Sequence, residues 1–347
     1  MGEPRGPSEP EAPSIGLILG GGGIAGYAFH CGVLAALTHE TGFEPRTAEI
    51  IVGTSAGSIA GAILRGGVTA VAMRDRLLSG IEDPEEMARI RLLAGRSAKA
   101  IPRLWSGPGS PALAMRQLRR GRDLRLTKLV TGLLPEGRLT LDPITGPLDE
   151  LHGPDWPEHS LWIPATEFRT GHRVVFGRDE HPTVAQAVEA SAALPGFFVP
   201  ARIGSAAYVD GGIGSPFNAD LLLGYRSASR PDRPLDLVVV AAPLSLDELN
   251  RSTPLASLAR GLPRRRLQGE LRRIADEGTP VLVIDPDREA ARAMGLNPMD
   301  HNNLDAIVAT AGRLVQQRLA EASAEVRAVL ARANLLERPA PVPYPSG

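Results

Sequence analysis

A single cysteine, Cys31, stands in 347 residues, which excludes an internal disulfide framework and any multi-cysteine zinc site within one chain. That scarcity fits a reducing compartment and a cytoplasmic location. Aromatic residues are 4% of the chain, leaving little from which to build a base-stacking platform for nucleic acid. Charge of one sign is also missing in bulk: the formal net charge is -1, so an electrostatic partner must be met by a local patch. No run reaches the ~18 apolar residues needed to cross a bilayer, so membrane contact is expected to be peripheral. Residues 1–13 are proline-rich and acidic, without the apolar centre of a secretory signal, and are read as a disordered leader. Residues 338–347 carry four prolines and are read as a disordered tail.

What is present is a large apolar fraction, 43% of residues, in a pattern of alternating strands and helices. An apolar strand from Ser14 to Leu19 runs into Gly20-Gly21-Gly22-Gly23 and then a helical stretch from about Ile24 to His39. Glu49 to Val52 repeats the scheme, with Gly53 to Gly57 as turn and Ser58 to Leu64 as helix. Two strand-turn-helix units in succession predict an α/β sheet. From about Thr69 to Leu151 no strand pattern is visible and prolines interrupt the sequence, which predicts a helical insertion. Strands are expected again at 161–168, 173–176, 206–209, 235–242 and 280–284, with helices near 183–194, 255–277 and 303–336. The reading is one α/β domain over 14–337, interrupted once.

Two glycine motifs invite chemistry. Gly21-x-Gly23-x-x-Gly26 follows a strand and opens a helix, as a dinucleotide fingerprint requires, but the acidic residue that should close the next strand is absent and Glu49 opens that strand instead. The alternative is that the glycine amides face a developing oxyanion, aided by the positive end of the following helix. Gly53-x-Ser55-x-Gly57 between strand and helix has the pattern of a nucleophile elbow. None of the seven histidines has a strong local signature as its base. His301 is the only one late enough to suit a serine, acid, histidine order. Tyr208-Val209-Asp210-Gly211-Gly212 offers a carboxylate at a strand end, which can act as general base if it hydrogen-bonds the serine directly.

Taken in order, these segments resemble the patatin-like phospholipases, whose pattern is a glycine-rich oxyanion segment, a G-x-S-x-G elbow and a distant D-G-A or D-G-G. Ala190-Ser191-Ala192-Ala193-Leu194-Pro195-Gly196-Phe197-Phe198-Val199-Pro200 is similar to a fourth stretch of that family. The resemblance covers roughly Ile15 to Asp220. It implies a three-layer α/β/α sandwich with a mainly parallel sheet, and a Ser55–Asp210 dyad without histidine. It also implies oxyanion donors from Gly21, Gly22 and Gly23, with Gly26, Gly53, Gly57, Gly211 and Gly212 supporting the turns. Lipid esters would be the substrates, with no metal or cofactor. One departure is Ala25, where many members carry arginine or lysine, so the substrate's charge preference is left open.

Between Ala88 and Lys128 eleven Lys or Arg stand against one acid, Asp123. Interleaved Leu92, Leu93, Ile101, Leu104, Trp105, Leu113, Met115 and Leu118 would let such helices lie on an anionic lipid surface, or pack their leucines onto the sheet and leave a solvated basic face. Arg260 to Arg273 holds a second basic run. Nucleic acid as partner is disfavoured by the missing aromatics. The expected function is a serine acyl hydrolase of lipid esters, with a catalytically silent lipid- or partner-binding protein as the rival. Oligomeric state is unreadable at this level.

Overall fold

The computed structural model describes residues 13–82, 108–119, 125–227, 230–245, 254–295, 297, 299–334, 340 and 342–343. Most of the expected leader and tail, and most of the basic 88–128 segment, lie outside the described residues.

Five consecutive buried residues, Ile15–Leu19, make β1, which leads through the glycine run into α1 (Gly23–Thr41). β2 (Ile50–Gly53) leads likewise into α2 (Ala56–Arg65). Among the described residues four helices follow with no strand between them: α3 (Ala70–Glu82), α4 (Pro111–Leu118), α5 (Leu126–Leu133) and α6 (Asp142–His152). Next come β3 (Ser160–Glu167), β4 (Arg173–Phe176), α7 (Val184–Ala192), β5 (Ala201–Ile203) and β6 (Ala206–Asp210). β7 (Leu237–Ala241), α8 (Pro254–Asp276), β8 (Val281–Ile284), α9 (Arg288–Met294), α10 (Leu304–Glu321) and α11 (Ala324–Ala333) complete the described strands and α-helices.

The strands form one sheet in the order β5-β6-β3-β2-β1-β7-β8, with β4 also on β3. β3, β2, β1, β7 and β8 are parallel, whereas β4 and β6 pair antiparallel with β3, and β5 with β6. Parallel strands covered on both faces read as unbroken apolar runs, and the two-residue period then divides each strand between two cores. Leu17, Leu19, Ile51 and Val239 join one core with Phe29, Leu34 and Leu37 of α1 and Ile307 and Leu314 of α10. Ile18, Ile50, Val52, Val238 and Val240 join the other, with Leu267, Leu271 and Ile274 of α8. Helices therefore flank both faces of a mostly parallel sheet, as expected.

Three details differ from the sequence reading. β5 was not foreseen, because three residues beside Pro200 carry no readable period. α9 was not foreseen either; it is a single short element capped by Asp287, whose Oδ1 accepts from the amides of Glu289 and Ala290. The helix expected over 303–336 is two, because Ser323 turns the chain and caps α11, its hydroxyl accepting from Val326 N at 3.2 Å.

Candidate functional site

The sheet brings the motifs together through register. β1 and β2 are parallel neighbours with Leu19 opposite Gly53, so the glycine run and the serine turn leave the sheet side by side. β3 overruns β2. Val52 stands opposite Trp162, and three residues further along β3 Ala165 stands opposite Asp210. Counting three residues past Val52 reaches Ser55, so Asp210 arrives level with it. It does so from the opposite direction, because β6 runs antiparallel to β3; the shared sheet end expected for Asp210 is reached by a returning strand.

Ser55 sits at the N-terminal cap of α2 with φ 52 and ψ -119, a conformation that strains a non-glycine residue by roughly 1–3 kcal/mol. The flanking glycines explain how the turn is possible. A Cβ on Gly57 would run into the carbonyl of Leu19, and one on Gly53 would lie 2.5 Å from the Gly57 carbonyl oxygen. The strained turn is held by side chains distant in sequence. Ser55 N donates to Ser191 Oγ at 3.0 Å, and that fully buried hydroxyl donates onward to Pro164 O at 2.7 Å. Buried Thr54 accepts from Asn218 Nδ2 at 3.0 Å, and Asn218 Oδ1 in turn accepts from Arg173 at 3.1 Å. Arg173 makes a two-pronged pair with Asp220 at 2.8 and 2.9 Å.

Asp210 is buried, with the Ser55 side chain near enough to lower its carboxyl, and its Oδ1 accepts from Gly212 N at 2.6 Å. Burial raises its carboxyl from the ordinary 3.8 to about 6, against the lowering effect of the Ser55 side chain and the Gly212 amide. Desolvation wins because it penalises the whole charge, while each bond to the carboxylate recovers only part of it. A side chain on Gly211 would collide with Pro164 O, so the D-G-G sequence is a packing requirement as well as a turn.

The glycine run is pinned at three points. Gly20 N donates to Ala241 O at 3.1 Å, Gly21 N to Pro216 O at 2.8 Å, and Gly20 O accepts from His30 Nε2 at 2.7 Å. A methyl on Gly21 would lie 3.5 Å from Ser55 Cβ, so the run passes directly beside the serine. The expected trio of oxyanion donors is therefore unequal: the Gly21 amide is already committed to Pro216. Among the described residues the Gly22 and Gly23 amides donate to no protein acceptor, as expected at a helix N-terminus. Gly26 N bonds back to Gly22 O at 2.9 Å and so closes the first turn of α1.

His30 is one of the histidines without a strong local signature. It is fully buried, burial lowers it to about 4, and its Nδ1 meets no partner among the described residues. A neutral imidazole donating from Nε2 to Gly20 O accounts for this geometry. Ser191 was noted only within a family-like segment, and Asn218 and Arg173 were not singled out; their role depends on contacts across long sequence separations. His301 lies in the loop before α10 and makes no hydrogen bond to Ser55 or Asp210 among the described residues. Glu49, the acidic residue weighed for a ribose, accepts from Tyr225 at 3.5 Å at the other end of β2.

Of the basic 88–128 segment, Arg116, Arg119, Arg125 and Lys128 are described. The three arginines are exposed, but Lys128 is buried and donates to Gly171 O. Leu113, one of the residues expected either to face lipid or to pack inward, is fully buried. Among the described residues no group of three or more His, Cys, Asp or Glu is placed to hold a metal, and no helix is long and apolar enough to cross a membrane. A cavity of about 520 Å³ beside β8, between α8 and the ends of α10 and α11, includes none of the motif residues.

A family model described as patatin-like phospholipase matches residues 17–223, a span from β1 to just beyond Asp220. Among solved structures, VipD from Legionella pneumophila is 16% identical with a TM-score of 0.42, over 90% of this chain and 67% of that one. The type III effector ExoU is 17% identical with a TM-score of 0.34, over 89% of this chain and 54% of that one. The ExoU–SpcU complex of the Pseudomonas aeruginosa type III secretion system is 19% identical with a TM-score of 0.36, over 90% and 53%. This chain thus spans about half the length of the ExoU chains it matches.

Proposed function

Because this chain belongs to the patatin-like phospholipase family, we propose that it is a serine hydrolase of lipid carboxylic esters, with Ser55 as nucleophile and Asp210 as its base. The observation that carries this reading is the register that brings buried Asp210 level with Ser55, its carboxyl raised to about 6 by burial. A base with that value is ionised at neutral pH yet basic enough to take a proton during attack.

As Ser55 Oγ bonds to the ester carbonyl carbon, its proton passes to Asp210 and the carbonyl electrons move onto oxygen. The Gly22 and Gly23 amides, at the positive end of α1, are the donors available to that oxyanion, each worth about 3 kcal/mol in such a role. Collapse expels the alcohol, which takes the proton from Asp210. Water then attacks the acyl-serine, again giving its proton to Asp210, and the carboxylic acid leaves as Oγ recovers a proton. His30 supports the glycine run from beneath and Ser191 holds the Ser55 amide; neither is needed to carry a proton.

Labelling with a fluorophosphonate probe tests the assignment. Wild type and His301→Ala should label, Ser55→Ala should not, and Asp210→Asn should label at least a hundredfold more slowly. Labelling that survives Ser55→Ala would overturn the nucleophile. Loss on His301→Ala with Asp210→Asn unaffected would replace the dyad with a histidine triad. No labelling of a folded wild type would favour a silent lipid-binding protein.

A further inference from the structure

An amphipathic helix on a protein surface normally turns its apolar stripe inward. α5 does the reverse. Leu126, Val130 and Leu133, spaced i, i+4 and i+7 on one face, are all exposed, Leu126 by 64%, while Lys128, Thr131 and Gly132 are buried. The reversal has a local cause. Gly132 lies so close to α4 that a Cβ there would sit 2.7 Å from Ala114 N, and Lys128 is drawn inward by Gly171 O. The small and polar face therefore makes the packing contact, and Leu126, Val130 and Leu133 are left outside.

α4 adds Met115 and Leu118 to the same exposed set. The 137–139 strand-like segment that follows α5 hydrogen-bonds the 197–199 segment, with Val199 N donating to Leu139 O at 2.9 Å, and this brings exposed Val199 into the region. Of the eight large apolar residues exposed among the described residues, only Val342 lies elsewhere. Such clustering, in place of single scattered residues, marks a surface that is covered in use. The cluster borders the site. Thr127 at the start of α5 donates to Ile213 O, in the turn directly after Asp210, at 3.2 Å, and Leu134 at its end stands beside Gly196.

Charge indicates what covers it. The exposed charged groups on the described parts of this hairpin are Arg116, Arg119 and Arg125, and no acidic residue occurs in 111–119 or 125–134. We infer that the outward faces of α4 and α5, with Val199, seat the protein on an anionic lipid surface at the rim of its active site. The apolar side chains enter the acyl boundary and the arginines meet the headgroups. This rests on the lipid-ester reading of Ser55 and Asp210, since it brings that pair to its substrate.

The test separates docking from catalysis. Full-length protein is floated with phosphatidylcholine vesicles, with and without phosphatidylglycerol, and in parallel hydrolyses a soluble short-chain p-nitrophenyl ester. Wild type should float with the anionic vesicles and release them as salt rises. The triple variant L126S/V130S/L133S should bind at least tenfold more weakly, and R116E/R119E/R125E should lose the preference for anionic lipid. Both should keep soluble-ester kcat/KM within about twofold, which also shows that they fold. Wild type that fails to float, or a serine variant that floats as well as wild type, overturns the docking surface. So does loss of a wild-type dimer in the serine variant, seen by size exclusion, if vesicle binding is unchanged. Flotation without any ester hydrolysis would leave docking standing and remove the catalytic reading instead.

Discussion

Replacing Asp210 by asparagine should stabilise this protein at neutral pH while removing its proposed base. Burial raises the carboxyl from 3.8 to about 6, so between those values the folded chain binds more protons than the unfolded one. Stability from this group is fully present below pH 3.8, falls as pH rises, and is lost once pH passes 6. At roughly 1.36 kcal/mol per pH unit, the ionised carboxylate costs the fold about 3 kcal/mol at pH 8. Asparagine keeps the size and an oxygen that can accept from Gly212 N, now 2.6 Å from Asp210 Oδ1, without the charge. Urea unfolding of Asp210→Asn and wild type at pH 8 should therefore differ by about 3 kcal/mol in favour of the variant, and the gap should close by pH 3.5. His30 is common to both chains and cancels in the difference. Activity should show the converse: wild-type kcat/KM rises through an ionisation near 6, and the variant lacks that limb. A gap that does not change with pH, or a variant less stable at pH 8, would refute the claim that Asp210 is held ionised at a desolvation cost.

Three other outcomes follow from the same contacts. Gly57→Ala should unfold the serine turn, because its Cβ meets the Leu19 carbonyl, whereas Gly21→Ala, whose Cβ lies 3.5 Å from Ser55 Cβ, should fold and lose activity; circular dichroism with ester turnover distinguishes them. Ser191→Ala leaves the Ser55 amide and the Pro164 carbonyl without their present partner, at about 1–3 kcal/mol for each group left unsatisfied; kcat should fall with KM little changed, and a variant of wild-type kcat would remove Ser191 from the positioning of Ser55. His30, lowered from 6.5 to about 4, contributes stability that is present above pH 6.5 and lost as pH falls through 4, so His30→Gln should reduce the acid sensitivity of unfolding seen in Asp210→Asn.

How much of this was legible in one dimension depends on the range of the forces involved. The unbroken apolar run of β1, the small residues of α2 and the G-x-S-x-G turn were readable because their constraints are local. A strand covered on both faces must be apolar throughout, and glycine is required where Gly53 and Gly57 meet neighbouring backbone. Asp210 was legible only as a carboxylate at a strand end. That it lies level with Ser55 depends on the overrun of β3 past β2 and on an antiparallel β6, which no local pattern encodes.

The alternation that builds the sheet, the two tight glycine turns, and the residue types from which a nucleophile and base could be made are properties of local pattern. Packing across the closed layers selects which groups are free to act. It commits the Gly21 amide to Pro216, pins the loop with a neutral His30, and holds the strained Ser55 amide on Ser191. It also turns Leu126 and Leu133 of α5 outward by packing Gly132 against α4. These outcomes are set by hydrogen bonds and close contacts between residues tens to hundreds of positions apart. Their energies depend on burial and geometry that exist only once the layers have closed.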